Sequence, residues 1–281
     1  MPQRQEPTHV VAHLSDTHLL AGGAPLHGVV DTVGNLRRAL DRLEATGFTI
    51  DAIVHTGDIA DLGELDAYER VRELIEPAAA RLGCPVVWVA GNHDVRGPLR
   101  AGLLGQPATE EPLDSVAVVN GLRIVALDTS VPGAGHGLLE AGQLEWLAGV
   151  LATPAPHGTL LALHHPPAPT PVRELEAFQL RNPEALAEVV AGTDVRALLS
   201  GHFHYPVQTL LAGVPLSVGP ATSYTVRVGA PRLGLTGLDG DQAFSLVAVY
   251  PEQILTTLVP IDAPPAVVEL PHGFFDDLLP R

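Results

Sequence analysis

As far as Gly201 the chain alternates short apolar runs with longer stretches in which apolar residues recur at helical spacing. VVAHLS (10–15), AIVHTG (52–57), PVVWVA (85–90), TLLALHH (159–165) and VRALLS (195–200) read as strands. Between them, Val29, Val33, Leu36, Leu40 and Leu43 mark one helix, and Tyr68, Val71, Ile75, Ala78 and Leu82 mark a second. Further helices are expected around Gln143–Leu151 and Glu184–Val190. In SVAVVNGLRIVALDTS, Asn120 and Gly121 sit between two apolar runs, which predicts a tight hairpin. Beyond Gly201, VQTLLAGVPLSVG, FSLVAVY and QILTTLVPI predict antiparallel strands joined by short turns, without helices.

This order predicts two packed sheets with helices outside, in one α/β domain over residues 1–262, followed by a tail at 263–281. The tail stretch PHGFFDDLLP breaks apolar pairs with acid and is expected to pack on the domain or at a subunit contact.

The polar residues fall at the ends of the strands. VVAHLS leads to Asp16 and His18, AIVHTG to Asp58, PVVWVA to Asn92 and His93, TLLALH to His164, and VRALLS to His202 and His204. In open α/β sheets, sites form outside the carboxyl ends of strands, so these residues should converge. The i, i+2 pairs Asp16/His18 and His202/His204 would each present two side chains to one cavity if the backbone there is extended. Gly57, Gly91 and Gly201 precede candidate ligands and allow close backbone approach. Carboxylate, amide oxygen and imidazole together suit Mn, Fe, Zn, Co or Ni rather than Ca or Mg. Even without His93, seven such groups are too many for one tetrahedral ion, and two ions sharing a bridging carboxylate would use all seven.

Composition narrows the substrate. The net charge is −16, and all 16 basic residues are scattered arginines, which excludes polymeric nucleic acid as the main partner. A small anion would have to be drawn by bound cations instead. There is no apolar run long enough for a transmembrane helix, no secretory signal pattern at the start, and a single cysteine, Cys84. A cytoplasmic protein is expected.

The ordered set DTH, GD, GNHD, H and GHxH resembles the calcineurin-like metallophosphoesterase superfamily. The fuller wording SDTHL, GDIADLGE, GNHDVR, ALDTSVPG, ALHHPP and GHFHY resembles its class III cyclic nucleotide phosphodiesterases, over about residues 8 to 260. The resemblance implies a four-layer αββα sandwich of two mixed sheets flanked by helices. It implies one ion on Asp16, His18, Asp58 and His204, and a second on Asp58, Asn92, His164 and His202, with Asp58 bridging. Iron and manganese are the implied metals, as Fe2+/Fe3+ and Mn2+, with Zn2+, Co2+ or Ni2+ as substitutes.

On this pattern a hydroxide between two ions roughly 3.5–4 Å apart attacks phosphorus in line. Asn92 and His93 would contact the phosphate, His93 would protonate the leaving alkoxide, and Asp61 would orient that imidazole. Asp61 also stands where it could cap a helix. The protein phosphatases of the superfamily carry an arginine after the residue equivalent to Asp61. Leu62 stands there instead, which favours a singly charged diester over a monoester.

Cyclic 3′,5′-nucleotides are the implied substrate class, and the resemblance also implies a homodimer. Glycerophosphodiesters or 2′,3′-cyclic nucleotides are the alternatives within the superfamily, and a metal-retaining binding scaffold is the alternative from another class. Of the remaining histidines, His136 in the loop GAGHG is a candidate contact for base or ribose. His165 adjoins the candidate ligand but is not selected by the pattern, and His13 and His55 are expected to be hydrogen-bonded core residues.

Overall fold

The computed structural model describes residues 6–229, 234–271 and 273–275. Of the tail, Phe274 and Phe275 are exposed with their rings packed edge to face. The acidic pair that the tail reading turned on, Asp276 and Asp277, lies outside the described residues.

Thirteen strands and five α-helices are present among the described residues. The strands are β1 His9–Leu14, β2 Ala52–His55, β3 Val86–Trp88, β4 Ser115–Val119, β5 Leu122–Leu127, β6 Thr159–Leu163 and β7 Val195–Ser200. They continue with β8 Val207–Leu211, β9 Val214–Val218, β10 Thr225–Val226, β11 Gly237–Leu238, β12 Ala243–Val249 and β13 Ile254–Pro260. The helices are α1 Thr32–Ala45, α2 Leu65–Leu82, α3 Arg96–Leu104, α4 Ala141–Leu151 and α5 Pro183–Val190.

Two mixed sheets are stacked. One has the order β13-β12-β1-β2-β3 and the other β4-β5-β6-β7-β9-β8. Their centres are parallel, β1 with β2 and β3 in the first and β5, β6, β7 and β9 in the second. Strands buried on both faces need apolar side chains throughout, which explains the near-continuous Val, Leu and Ile runs. In β1, Val11 faces the layer between the sheets with Val54, Ile124, Leu160, Leu199 and Val247. Val10, Ala12 and Leu14 face the other way, onto Leu36 and Leu40 of α1 and Tyr68, Val71 and Ile75 of α2. Helices α4 and α5 cover the outer face of the second sheet through Leu147, Leu151, Leu186 and Val190. The result is the expected four-layer αββα order.

The hairpin forms where it was expected, with Asn120 and Gly121 at φ 48° and 88° between the paired Val119 and Leu122. Both turn residues at positive φ match the twist of the flanking strands.

One expectation fails in detail and three features were not foreseen. Val29 is 73% exposed and precedes α1, which starts at Thr32 behind the Asp31 cap. Helix α3 was not foreseen, because Gly97 and Pro98 obscure its start. The strands after Gly201 pair antiparallel as expected, β8 with β9 and β12 with β13, but they divide between the two sheets, with β9 also running parallel to β7 and β12 joining β1. The short ribbon of β10 and β11 had no apolar run to announce it.

Candidate metal centre

The carboxyl ends of β1, β2, β3, β6 and β7 lie together, and the loops leaving them carry Asp16 and His18, Asp58, Asn92 and His93, His164, and His202 and His204. Main-chain bonds lock these loops to one another. The amide of Asp16 donates to the Gly57 carbonyl at 3.0 Å, His18 to Asp58 at 2.9 Å and Gly201 to His164 at 3.1 Å.

The extended backbone expected for the i, i+2 pairs is not what aims them. Asp16, His18, Asp58, His202 and His204 all have positive φ, at 53°, 46°, 52°, 74° and 58°. These five are among only nine non-glycine residues with positive φ in the described chain. Left-handed backbone costs a side-chain-bearing residue about 1–2 kcal/mol, so its concentration here is strain held at one place. The left-handed residues alternate with residues of ordinary backbone, so each pair is aimed by sharp local turns and not by an extended strand.

Glycine is required at Gly91 and Gly201. A Cβ at Gly91 would overlap the Asp58 carboxylate, and one at Gly201 would overlap Ser15 Oγ.

The atoms that meet are acceptors. His18 Nδ1 donates to Asp61 Oδ1 at 3.0 Å, His164 Nδ1 to the Thr56 carbonyl at 2.7 Å, and His204 Nδ1 to the Tyr224 carbonyl at 2.9 Å. Since those partners only accept, each Nδ1 carries a proton, so in the neutral, ligating form of each ring it is Nε2 that presents the lone pair. Yet His18 Nε2 lies 3.2 Å from His204 Nε2, and His204 Nε2 lies 3.4 Å from Asp16 Oδ1. On the other side, His164 Nε2 lies 3.0 Å from His202 Nδ1 and 3.2 Å from Asn92 Oδ1. Between them Asp58 Oδ2 is 3.5 Å from His18 Nε2 and 3.3 Å from His164 Nε2. Lone pairs converging at such distances in a buried pocket repel unless a cation lies among them. The donor set fits two adjacent cations with Asp58 between them.

The electrostatics agree. Burial alone would raise the Asp16 and Asp58 carboxyls, but the imidazoles of His204 and His164 respectively hold them well below the usual range. Burial would lower His164, and the Asp58 charge overrides it, taking the ring up to about 9. The negative charge that draws a proton there would draw a metal cation, and the two compete. His202 is pushed down to about 3 by burial and then by His164, which keeps the ring neutral with one nitrogen able to ligate.

His93 packs edge to face on His18, ring centroids 4.8 Å apart, and is the one histidine of this group with a largely accessible side chain, 42% exposed. The expected Asp61 carboxylate behind it is only partly found. His93 Nδ1 donates to the Asp61 main-chain carbonyl at 2.8 Å, with the carboxylate at 3.5 Å and turned to His18. Nor does Asp61 cap α2, whose N-cap is Glu64. Although burial lowers it, the charge of Asp58 and the Asp61 carbonyl leave His93 with a raised pKa.

Among the described residues His136 is outside every group of converging ligands, although the next residue of its loop, Gly137, packs on the His165 ring. His165 is buried behind His164 and bonds Thr129 Oγ1 at 2.8 Å. His13 bonds Thr56 Oγ1 at 2.8 Å through Nε2 alone, and His55 has neither nitrogen bonded. The expectation of hydrogen-bonded core histidines is therefore half right for His13 and wrong for His55, whose ring lies 5.6 Å from that of Trp88.

Sequence reasoning missed Asp94 and Arg96. Buried Asp94 accepts from the amides of Ile59, Ala60 and Gly91 and from the Tyr68 hydroxyl, tying the loop after β2 to the loop after β3. Burial and the Asp58 charge push its carboxyl up to about 7. Arg96 lines a cavity beside Asn92 and His93, but its guanidinium is engaged by Asp128 and by the carbonyls of Glu110 and Ser130. With Leu62 66% exposed, the position after Asp61 supplies no cation for a monoester.

A family model described as calcineurin-like phosphoesterase matches residues 9–206. The chain is 48% identical, over 259 residues, to a cAMP/cGMP dual specificity phosphodiesterase of Mycobacterium tuberculosis, covering 92% of this chain and 81% of that one. It is 36% identical over 231 residues to a 3′,5′-cyclic adenosine monophosphate phosphodiesterase of Pseudomonas aeruginosa, covering 82% of each. Among solved structures, a dimetal phosphatase from Danio rerio superposes with a TM-score of 0.62 at 16% identity, over 92% of this chain and 98% of that one. No helix among the described residues is long and apolar enough to cross a membrane.

Proposed function

The chain belongs to the calcineurin-like phosphoesterase family, and from that premise we propose that it hydrolyses 3′,5′-cyclic nucleotides, cAMP and cGMP, at a dinuclear metal centre. The observation that carries the reading is the convergence of lone pairs from two histidine groups on either side of Asp58 Oδ2. Asp16, His18, Asp58 and His204 would hold one cation, and Asp58, Asn92, His164 and His202 the other. Bound there, two cations would act as Lewis acids, making water nucleophilic at neutral pH and neutralising charge on the phosphoryl oxygens.

The residues around that centre supply the rest. Asn92 and His93 border the space where a phosphate would enter. With Nδ1 committed to the Asp61 carbonyl, His93 offers Nε2 to the substrate. Its raised pKa keeps a proton on that atom further into the neutral range, so it can bond a phosphoryl oxygen or protonate the departing alkoxide. Asp61 acts twice, its carboxylate fixing the His18 tautomer and its carbonyl fixing that of His93. No free guanidinium is needed for a diester, whose phosphate carries one charge.

Manganese and iron as the metals, a homodimer, a cytoplasmic place of action and a single domain ending near residue 262 complete the proposal. The first three rest on the family resemblance and on the single cysteine. Elemental analysis and light scattering test the metals and the dimer.

The deciding experiment is a substrate panel with and without added manganese: 3′,5′-cAMP, 3′,5′-cGMP, 2′,3′-cAMP, glycerophosphocholine and p-nitrophenyl phosphate. The expected result is metal-dependent turnover with the highest kcat/KM on the 3′,5′-cyclic nucleotides. A preference for glycerophosphocholine or 2′,3′-cAMP would overturn the substrate, and slow turnover of every ester would favour a binding scaffold.

A further inference from the structure

Beside the histidine cluster lies a cavity of about 430 Å³ walled by His27, Val29, Val30, Tyr224, Leu235 and Leu238, with Gly237 and Asp239 completing its lining. Tyr224 is the partition between the two. Its ring centroid is 4.2 Å from that of His204 and 6.2 Å from that of His18 on one side, and 5.6 Å from that of His27 on the other. A Cβ at Gly237 would come within 3.0 Å of Tyr224 Cδ2, so glycine there lets the ring lie against the backbone of β11. His27 has a left-handed φ of 52°, and its ring packs edge to face on Tyr224.

Val29 and Leu235 leave apolar surface open to solvent at the rim. Small-molecule sites are lined mainly by apolar and aromatic side chains with a few polar groups beside them. On the opposite flank, the cavity beside Asn92 and His93 is about 150 Å³, roughly a third of the volume.

We propose that this cavity receives the purine base of a cyclic nucleotide whose phosphate lies at the histidine cluster, an assignment that rests on the cyclic-nucleotide reading above. A purine is flat, uncharged and aromatic. Tyr224 and His27 offer it ring surfaces, and Val30 and Leu238 offer apolar walls. The acidic surface of the chain does not repel a neutral base as it would a second phosphate. Base stacking discriminates little between adenine and guanine, so the pocket accepts both purines.

Val29→Trp and Leu238→Trp test this by projecting an indole into the cavity from two different walls, away from the ligand cluster. Steady-state kinetics are measured on 3′,5′-cAMP and on methyl p-nitrophenyl phosphate, a diester without a base. The expected result is a fall of at least about tenfold in kcat/KM for cAMP, carried mainly by KM, with less than a twofold change on the baseless diester. Unchanged cAMP kinetics in both variants, or equal losses on both substrates, overturns the pocket. Val29 is 73% exposed, so its variant keeps the test intact if Leu238→Trp does not fold. Wild-type enzyme that cleaves the baseless diester but no cyclic nucleotide overturns the substrate reading and the pocket together. Wild-type activity on cAMP with indifferent variants overturns the pocket alone.

Discussion

His18 Nδ1 and Asp61 Oδ1 lie 3.0 Å apart, and this bond, rather than one to His93, is the main use of the Asp61 carboxylate. A carboxylate behind a ligating imidazole fixes its tautomer and raises its basicity. Asp61→Ala is therefore expected to weaken metal binding about 10- to 100-fold on the side of His18, Asp16 and His204. Loss of kcat should be smaller than for Asp58→Ala. Manganese titration followed by activity checks both, and a reversed order of the two variants would contradict the assignment.

Asn92→Ala removes an oxygen 3.2 Å from His164 Nε2 without opening the core. Turnover should fall on the order of a hundredfold or more, with one metal weakened and the fold intact. Near-normal kcat at full metal content, measured on the same preparation, would exclude Asn92 as a ligand.

The buried imidazoles predict acid sensitivity. Burial lowers His55 to about 3 and His13 to about 4, against 6.5 in the unfolded chain. Below pH 6.5 the unfolded chain binds more protons, so this contribution is intact above 6.5 and is lost as pH falls toward those values. The slope is about 1.4 kcal/mol per pH unit for each group. His55→Phe exchanges two unbonded nitrogens for an apolar ring and should raise stability at pH 7 by about 1 kcal/mol while removing one group's share of the acid slope. Urea unfolding at several pH values measures this, and an unaltered slope would refute it.

Asp94→Asn replaces an acceptor of several hydrogen bonds with an amide that must turn a donor toward main-chain N–H groups. A loss of about 2–4 kcal/mol is expected, accompanied by weaker metal binding as the loop carrying Asp58 loosens. Thermal denaturation with and without manganese resolves the two effects.

The ligand positions were legible because each stands at the end of a strand written in unmistakable apolar residues, and because the motifs recur in order. The means of aiming them was not legible. Periodicity cannot reveal that Asp16, His18, His202 and His204 take left-handed backbone, since that choice is imposed by tertiary bonds such as the one from the His202 amide to Asp16 at 3.0 Å. Asp94 was hidden for a similar reason: its donors come from Ile59, Ala60 and Tyr68, far along the chain. His27, with no surrounding motif, gains meaning only from its approach to Tyr224 in space. That β9 and β12 belong to different sheets was not legible either, because hairpin patterns predict local pairing and not which sheet a strand joins.

The claim beneath all of this is that the lone pairs gathered about Asp58 hold two cations. Equilibrium dialysis of the metal-stripped protein against manganese, read by elemental analysis, measures it directly. Two equivalents per chain are predicted for the wild type, with Asp58→Ala losing at least one of them along with activity. One equivalent or none in the wild type, or both retained after Asp58→Ala, would contradict the account.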